Sequence, residues 1–134
     1  MATVSMVLKA TDGLVTSALF VGQERKLFSI AGLARAGLRV EQDKDVLQME
    51  FDGDSQHIAG LKGLWHLAKY AQAIINAGHK VQILTNSRHL ANWMNGLWKA
   101  KKAETKYLVD CTLPLAQGKI VVTHLPRERI EKGL

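Results

Sequence analysis

The sequence predicts an α/β domain built on a mixed sheet, antiparallel where it begins and parallel where it ends, with helices on its faces. Three observations predict it. Short apolar runs broken by glycine turns fill the first third of the chain. A long amphipathic helical pattern occupies the centre. Strand-like apolar runs then alternate with helices as far as residue 125. Hairpins give antiparallel neighbours, whereas strand–helix–strand segments give parallel ones through right-handed crossovers.

The first strand is read from Val4, Met6 and Leu8, which alternate with Ser5, Val7 and Lys9. Asp12-Gly13 follows, a pair that favours the positive φ angles of a tight hairpin. Leu14 to Val21 is a β-rich second strand, and Gly22 to Arg25 a second turn. A third strand is expected over 26–31, completing a meander. The segment 27–36 also fits a short amphipathic helix, and the strand reading is preferred. Leu38 to Val40 and Val46 to Phe51 are compatible with a further hairpin around Asp43-Lys44-Asp45.

The central helix is expected over 56–77. Asp54 or Ser55 can cap it and Gly78 ends it. Ile58, Leu61, Leu64, Trp65, Ala68, Ala71 and Ile75 recur at helical spacing, so Trp65 and Tyr70 read as packing residues. Residues 81–85 form a short buried strand, and Asn86-Ser87 can cap a helix over 88–98. A basic stretch, Lys99 to Lys102, precedes a helix over 104–116, broken by Gly118. The last strand is expected over 119–125, and 126–134 reads as a polar tail. The whole forms a single domain, 1–134, with a five-stranded sheet and no helix after the last strand.

Composition narrows the function classes. The chain has 134 residues, 47% hydrophobic and 22% charged, a globular balance that can bury a core. Its apolar runs are too short to span a bilayer, and no signal-peptide pattern opens it. The lone Cys111 excludes an internal disulfide and a cysteine metal cage, sits among apolar helix neighbours and fits a cytoplasmic setting. A net charge of +6 suits a polyanionic partner such as nucleic acid, or an acidic protein. His57, His66, His79, His89 and His124 show no zinc-type spacing. Gly32 to Gly37 lacks the Lys-Ser/Thr of a phosphate loop.

The order of elements resembles the ribonuclease H fold, and four stretches strengthen the likeness. Lys9-Ala10-Thr11-Asp12-Gly13 is similar to the end of that family's first strand, where a catalytic Asp precedes Gly. Residues 18–29 resemble its second strand, turn and third strand. Gln82-Ile83-Leu84-Thr85-Asn86-Ser87-Arg88-His89-Leu90 is similar to its Thr-Asp-Ser segment leading into a helix. Thr123-His124-Leu125-Pro126-Arg127-Glu128-Arg129 resembles the His-Val-Pro-Arg-Glu stretch of some branches. The likeness spans nearly the whole chain, although 33–56 is longer than the family's counterpart.

The resemblance implies a site of clustered carboxylates holding two Mg²⁺ ions, which activate water and stabilise a leaving oxygen. Hard Mg²⁺ needs charged oxygen ligands, so each acid position is a test. Asp12 is either a remnant of the first acid or a turn residue, the turn being the stronger reading. The helix position falls at Ala59. Asn86 stands where the family has Asp. The final acid, on a C-terminal helix, has no counterpart before Leu134. Glu50, Asp52 and Asp54 read as a solvated loop and a helix cap. His124 lies near the former active site by the same analogy, or is an ordinary strand histidine. Metal-dependent hydrolysis is therefore expected to be absent or very weak, with no cofactor; Mg²⁺ enters only if an active nuclease has a rearranged site.

A binding face can outlast the ligands. Arg88, Trp93, Trp98, Lys99, Lys101, Lys102, Lys106 and Arg127 are the candidate nucleic-acid contacts, since the family holds the hybrid's backbone with a basic, Trp-containing segment near here. Lysines supply salt-sensitive phosphate affinity and an exposed Trp can stack on a base. The plainer reading puts Trp93 and Leu97 in the core and the lysines on a solvated face. The second functional class is a protein-interaction or homodimerisation module, as in the connection-type domains of retroelement polymerases, using sheet surface left bare by the missing helix.

Overall fold

The computed structural model describes residues 2–34, 38–43 and 45–134. Among them the chain forms strands β1 (Thr3–Thr11), β2 (Leu14–Val21), β3 (Glu24–Lys26), β4 (Val40–Asp43), β5 (Val46–Glu50), β6 (Lys80–Thr85) and β7 (Ile120–His124). The helices are α1 (Ile30–Ala34), α2 (Gln56–Asn76), α3 (Arg88–Met94), α4 (Ala103–Ala116) and α5 (Arg127–Lys132). One mixed sheet runs in the order β4-β5-β2-β1-β6-β7, with β3 also paired to β2. The β1–β2, β2–β5 and β4–β5 pairs are antiparallel, and β6 is parallel to both β1 and β7. The expected mixed topology is thus present, in seven strands rather than five.

The register sorts side chains to two faces. Val4, Met6, Leu8 and Ala10 of β1 align with Val21, Leu19, Ser17 and Val15 of β2 and carry the core face. Val81, Ile83, Ile120 and Val122 continue it. Against this face lies the buried stripe of α2, including Ala59, Leu61, Leu64, Leu67, Ala68 and Ala71. The approach is close because α2 is glycine-bearing where it crosses the sheet: a Cβ at Gly63 would lie 2.8 Å from both Val15 methyls. Ser55 caps α2 by accepting from the Ile58 N–H, and Gly78 ends it with a φ of +92°. Tyr70 packs edge-on against Phe28 as expected of a packing residue, and its hydroxyl accepts from the Ser29 N–H.

Two stretches depart from expectation for identifiable reasons. The third strand ends at Lys26, and α1 begins at Ile30. Phe28 leaves the ladder because the Gln42 side-chain amide takes both its backbone groups: Oε1 accepts from the Phe28 N–H at 3.0 Å and Nε2 donates to its carbonyl at 3.2 Å. The freed half of the β2 edge, Leu14–Ser17, pairs with β5 instead. The expected hairpin is β4–β5; its turn residue Lys44, and Arg35 to Gly37 of the proposed helix and glycine segment, lie outside the described residues.

The second departure is at the C-terminal end. The expected polar tail folds as α5, so the last strand is followed by a helix after all, although a short one without an Asp. Ile130 is what a tail reading misses: it is fully buried, a contribution of roughly 1.5–3 kcal/mol for a side chain of this size. Lys9 Nζ pairs with Glu131 at 3.0 Å, and the Arg25 guanidinium donates to the carbonyls of Gly133 and Leu134. Lys9 and Val7 belong to the face opposite α2, so α5 covers part of the sheet surface that was expected to be bare. No helix among the described residues is long and apolar enough to cross a membrane.

Candidate nucleic-acid interface

The ends of β1 and β6, where the resemblance would put an acidic cluster, are closed by packing. The last paired residues are Leu8 and Thr85. Beyond them the Asn86 side chain takes over from the ladder: Oδ1 accepts from the Ala10 N–H at 3.0 Å and Nδ2 donates to the Ala10 carbonyl at 3.3 Å. Across from Ala10 stands Gly60, where a Cβ would lie 3.1 Å from both the Ala10 Cβ and Leu90 Cδ1. Ala59 beside it is fully buried. His124 is the register partner of Thr85 at this same strand end, and is half-buried.

Asp12 is not part of this cluster. It lies in the β1–β2 turn with Gly13, whose φ is +71°. Its Oδ1 accepts from the Gln56 N–H at 2.8 Å, joining Ser55 in satisfying the α2 N-terminus. The residue that meets Asn86 is Ala10, two positions earlier, and it offers no carboxylate. The other nearby acids are engaged by cations: Glu50 and Asp52 by Arg39 at 3.5 and 3.4 Å, Asp54 by Lys62 at 2.7 Å. Among the described residues no three His, Cys, Asp or Glu side chains group closely enough to hold a metal ion. The two-Mg²⁺ arrangement does not fit these residues. Ala10, Ala59 and Gly60 bring no side-chain oxygen, and both polar atoms of the Asn86 amide are committed to backbone.

Beside the closed strand end lies an open cleft of about 840 Å³. Its walls are the first turn of α2 (Ser55, His57, Ile58), α3 (His89, Trp93) and the segment from Leu97 to Thr105. Four aromatic rings converge in it. The His57 and His89 rings are 4.1 Å apart, and Trp93 meets them edge-on at 6.1 and 5.4 Å. Trp98 contacts His89 edge-on at 5.0 Å. Trp93 is 8% exposed and forms the floor, whereas Trp98 is 42% and Leu97 71% exposed. The two halves of the plainer reading therefore separate: Trp93 packs inward and Leu97 points out.

The local chain explains how Trp98 is held outward. Helix α3 stops at Met94, sooner than expected, and Gly96 adopts a φ of +73°. The Leu97 and Trp98 N–H groups then both donate to the Asn92 carbonyl, at 2.9 and 3.2 Å. Asn95 anchors the turn by donating to the Val122 carbonyl. Lys99, Lys101 and Lys102 follow on the rim, exposed, with Glu104 as the one acid among the lining residues. Neither they nor Arg88 makes an ion pair among the described residues. Lys106, on α4, is held by Asp110 at 3.5 Å. Arg127 is apart from this group: it lies on α5 and is bound to Glu131 at 2.9 Å. Burial first, and the neighbouring His57 second, hold the His89 imidazole below its usual range.

Sequence reasoning missed His57, Ile58 and His89 as cleft residues. A signal existed: each histidine sits in the first turn of a helix that starts at the same end of the sheet, α2 tied there by Asp12 and α3 by Ser87.

This arrangement of a β-meander, parallel strands and crossing helices is the ribonuclease H-like fold. The N-terminal RNase H domain of a Mycobacterium tuberculosis protein superimposes over 98% of this chain and 88% of its own, with a TM-score of 0.65 and 16% identity. RNase H1 of Halobacterium salinarum matches over 97% and 89%, with a TM-score of 0.59 and 13% identity. LC11-RNase H1, solved in complex with an RNA/DNA hybrid, matches over 98% and 90%, with a TM-score of 0.55 and 13% identity. No family profile and no curated protein matches the sequence.

Proposed function

We propose that this ribonuclease H-like domain binds nucleic acid through the lysine-rimmed aromatic cleft and does not hydrolyse it. The carrying observation is the cleft itself. Lys99, Lys101 and Lys102 stand exposed beside the open ring of Trp98, and Arg88 is exposed at the start of α3, next in sequence to the cleft residue His89. Free cations supply phosphate affinity by releasing counterions, and the exposed ring supplies stacking. Trp93 supports the cleft from below. Lys106 and Arg127, each occupied by a carboxylate, contribute less. The solved LC11-RNase H1 complex with an RNA/DNA hybrid makes a polyanionic partner consistent with the scaffold.

The inactive half of the reading rests on the contact of Ala10, Gly60 and Leu90 together with the committed Asn86 amide. Installing a carboxylate at the fully buried Ala59 or at Gly60 would require that packing to open.

The test is incubation of the protein with end-labelled single strands and RNA–DNA hybrid at about 50 mM salt, with Mg²⁺ and separately Mn²⁺. Retarded but intact strands are expected. Metal-dependent fragments that vanish in Asp12→Asn would establish a rearranged nuclease. A failure to retard any strand, combined with a dimer or a captured protein, would favour the interaction-module reading.

A further inference from the structure

We infer that the cleft selects an unpaired nucleobase, so that the preferred ligand is single-stranded rather than a continuous duplex. The inference rests on the binding role proposed above and adds which nucleic acid is taken.

A duplex offers its partner phosphates and sugars along the backbone; its base faces are stacked and hidden. A protein that holds only that backbone needs cations and a shallow track. Here the cations lie on the rim, while the interior is a recess of about 840 Å³ lined by His57, Ile58, His89, Trp93 and Trp98. That volume lies within the range of pockets that take small organic ligands, roughly 300–1,000 Å³. A regular backbone engages the lysine rim and the edge of Trp98 but leaves the aromatic interior unfilled. A splayed base presents a flat π face and a few edge donors and acceptors, the chemistry this lining fits.

The ring geometry says where the base would lie. Trp93 is buried and meets both histidines by edge contacts, so it fixes the floor and offers no free face. His89 touches three rings, His57 at 4.1 Å, Trp98 at 5.0 Å and Trp93 at 5.4 Å, and is only partly exposed. The outward faces remaining are those of Trp98 and the exposed His57. A base stacked on Trp98 would place its flanking phosphates on the side of Lys99, Lys101 and Lys102, which follow directly in sequence. Cation placement and ring placement thus suit one strand with one base turned inward.

The chemistry is common to DNA and RNA single strands, and the experiment separates it from duplex binding. Fluorescence anisotropy would compare three probes of equal length at low salt: an oligothymidylate, the same strand with abasic sites, and a blunt RNA–DNA hybrid. The expected result is at least about tenfold tighter binding of the oligothymidylate than of either other probe. Trp98→Ala should bring the oligothymidylate down to the level of the abasic strand, with folding checked by circular dichroism. Trp98→Phe, which retains a ring, should recover most of the loss. An oligouridylate in place of the oligothymidylate should behave alike. Equal affinity for abasic and intact strands, or tighter binding of the hybrid, would overturn the inference and leave the binding role standing. No affinity for any probe would overturn both.

Discussion

The Asn86 side chain completes the β1–β6 ladder by bonding both backbone groups of Ala10, accepting from its N–H and donating to its carbonyl. An amide is suited to this double task because it carries one donor and one acceptor side by side. An aspartate can accept from the N–H, but it has no donor for the carbonyl and would set a negative charge against it. Asn86→Asp is therefore expected to destabilise the fold by about 1–3 kcal/mol, measured by urea unfolding at pH 7. It is also expected to produce no Mg²⁺-dependent cleavage, since Ala10, Ala59 and Gly60 still bring no second carboxylate. A variant as stable as the parent would remove the structural role assigned to the amide.

Two glycines of α2 should respond differently to alanine. Both replacements gain helix propensity, about 0.8–1 kcal/mol. At Gly63 the new Cβ would lie 2.8 Å from the branched methyls of the fully buried Val15, which has little room to yield. At Gly60 the nearest atoms are 3.1 Å away, and one of them is the end of the flexible Leu90 side chain. Gly63→Ala should lose roughly 1–2 kcal/mol net of the propensity gain, and Gly60→Ala should stay within about 1 kcal/mol of the parent. Thermal or urea unfolding of the pair decides it, and the reverse ranking would mean that α2 sits differently on β2.

These constraints show why the fold was more legible than the site. The alternation in β1, the α2 periodicity, the Ser55 and Ser87 caps and the Gly78 and Gly118 stops are local patterns, and each marks its element to within a few residues. The β4–β5 hairpin was visible for the same reason. The stretch at Phe28 and Ser29 departs from the strand reading because the side chains that take its backbone groups, Gln42 at Phe28 and Tyr70 at Ser29, are distant in sequence. The tail was misread because one buried residue, Ile130, anchors six. Asp12 reads first as a turn residue, and it is one; what no local pattern marks is that the backbone met by Asn86 belongs to Ala10. The lysine run and Trp98 were legible. The meeting of His57 with His89 was not, because it depends on two helices starting side by side.

Acid should affect stability and binding in opposite directions. Burial holds the His66 imidazole, packed between Phe51 and Trp65, below its usual value of about 6.5, and His89 is lowered as well. Below that value the unfolded chain binds protons that the folded chain disfavours, so stability falls as the pH drops. Urea midpoints at pH 7.5 and 5.5 should show the loss, and His66→Phe should reduce it. The negative field of a strand held on the neighbouring lysine rim opposes this at His89 by favouring its cationic form. Affinity for a single strand should therefore rise over the same interval, and His89→Gln should flatten the rise. A wild-type affinity independent of pH would place the strand away from His89.

The central claim, that the lysine rim of the aromatic cleft holds a nucleic-acid strand, is tested most directly by the salt dependence of binding. Each phosphate neutralised on a single strand contributes a slope of about −0.7 in log K against log salt. With Arg88, Lys99, Lys101 and Lys102 engaged, the wild-type slope should be near −3, and the triple variant Lys99→Ala, Lys101→Ala, Lys102→Ala should flatten it by about 2. Unchanged slope and affinity in the triple variant would contradict the account.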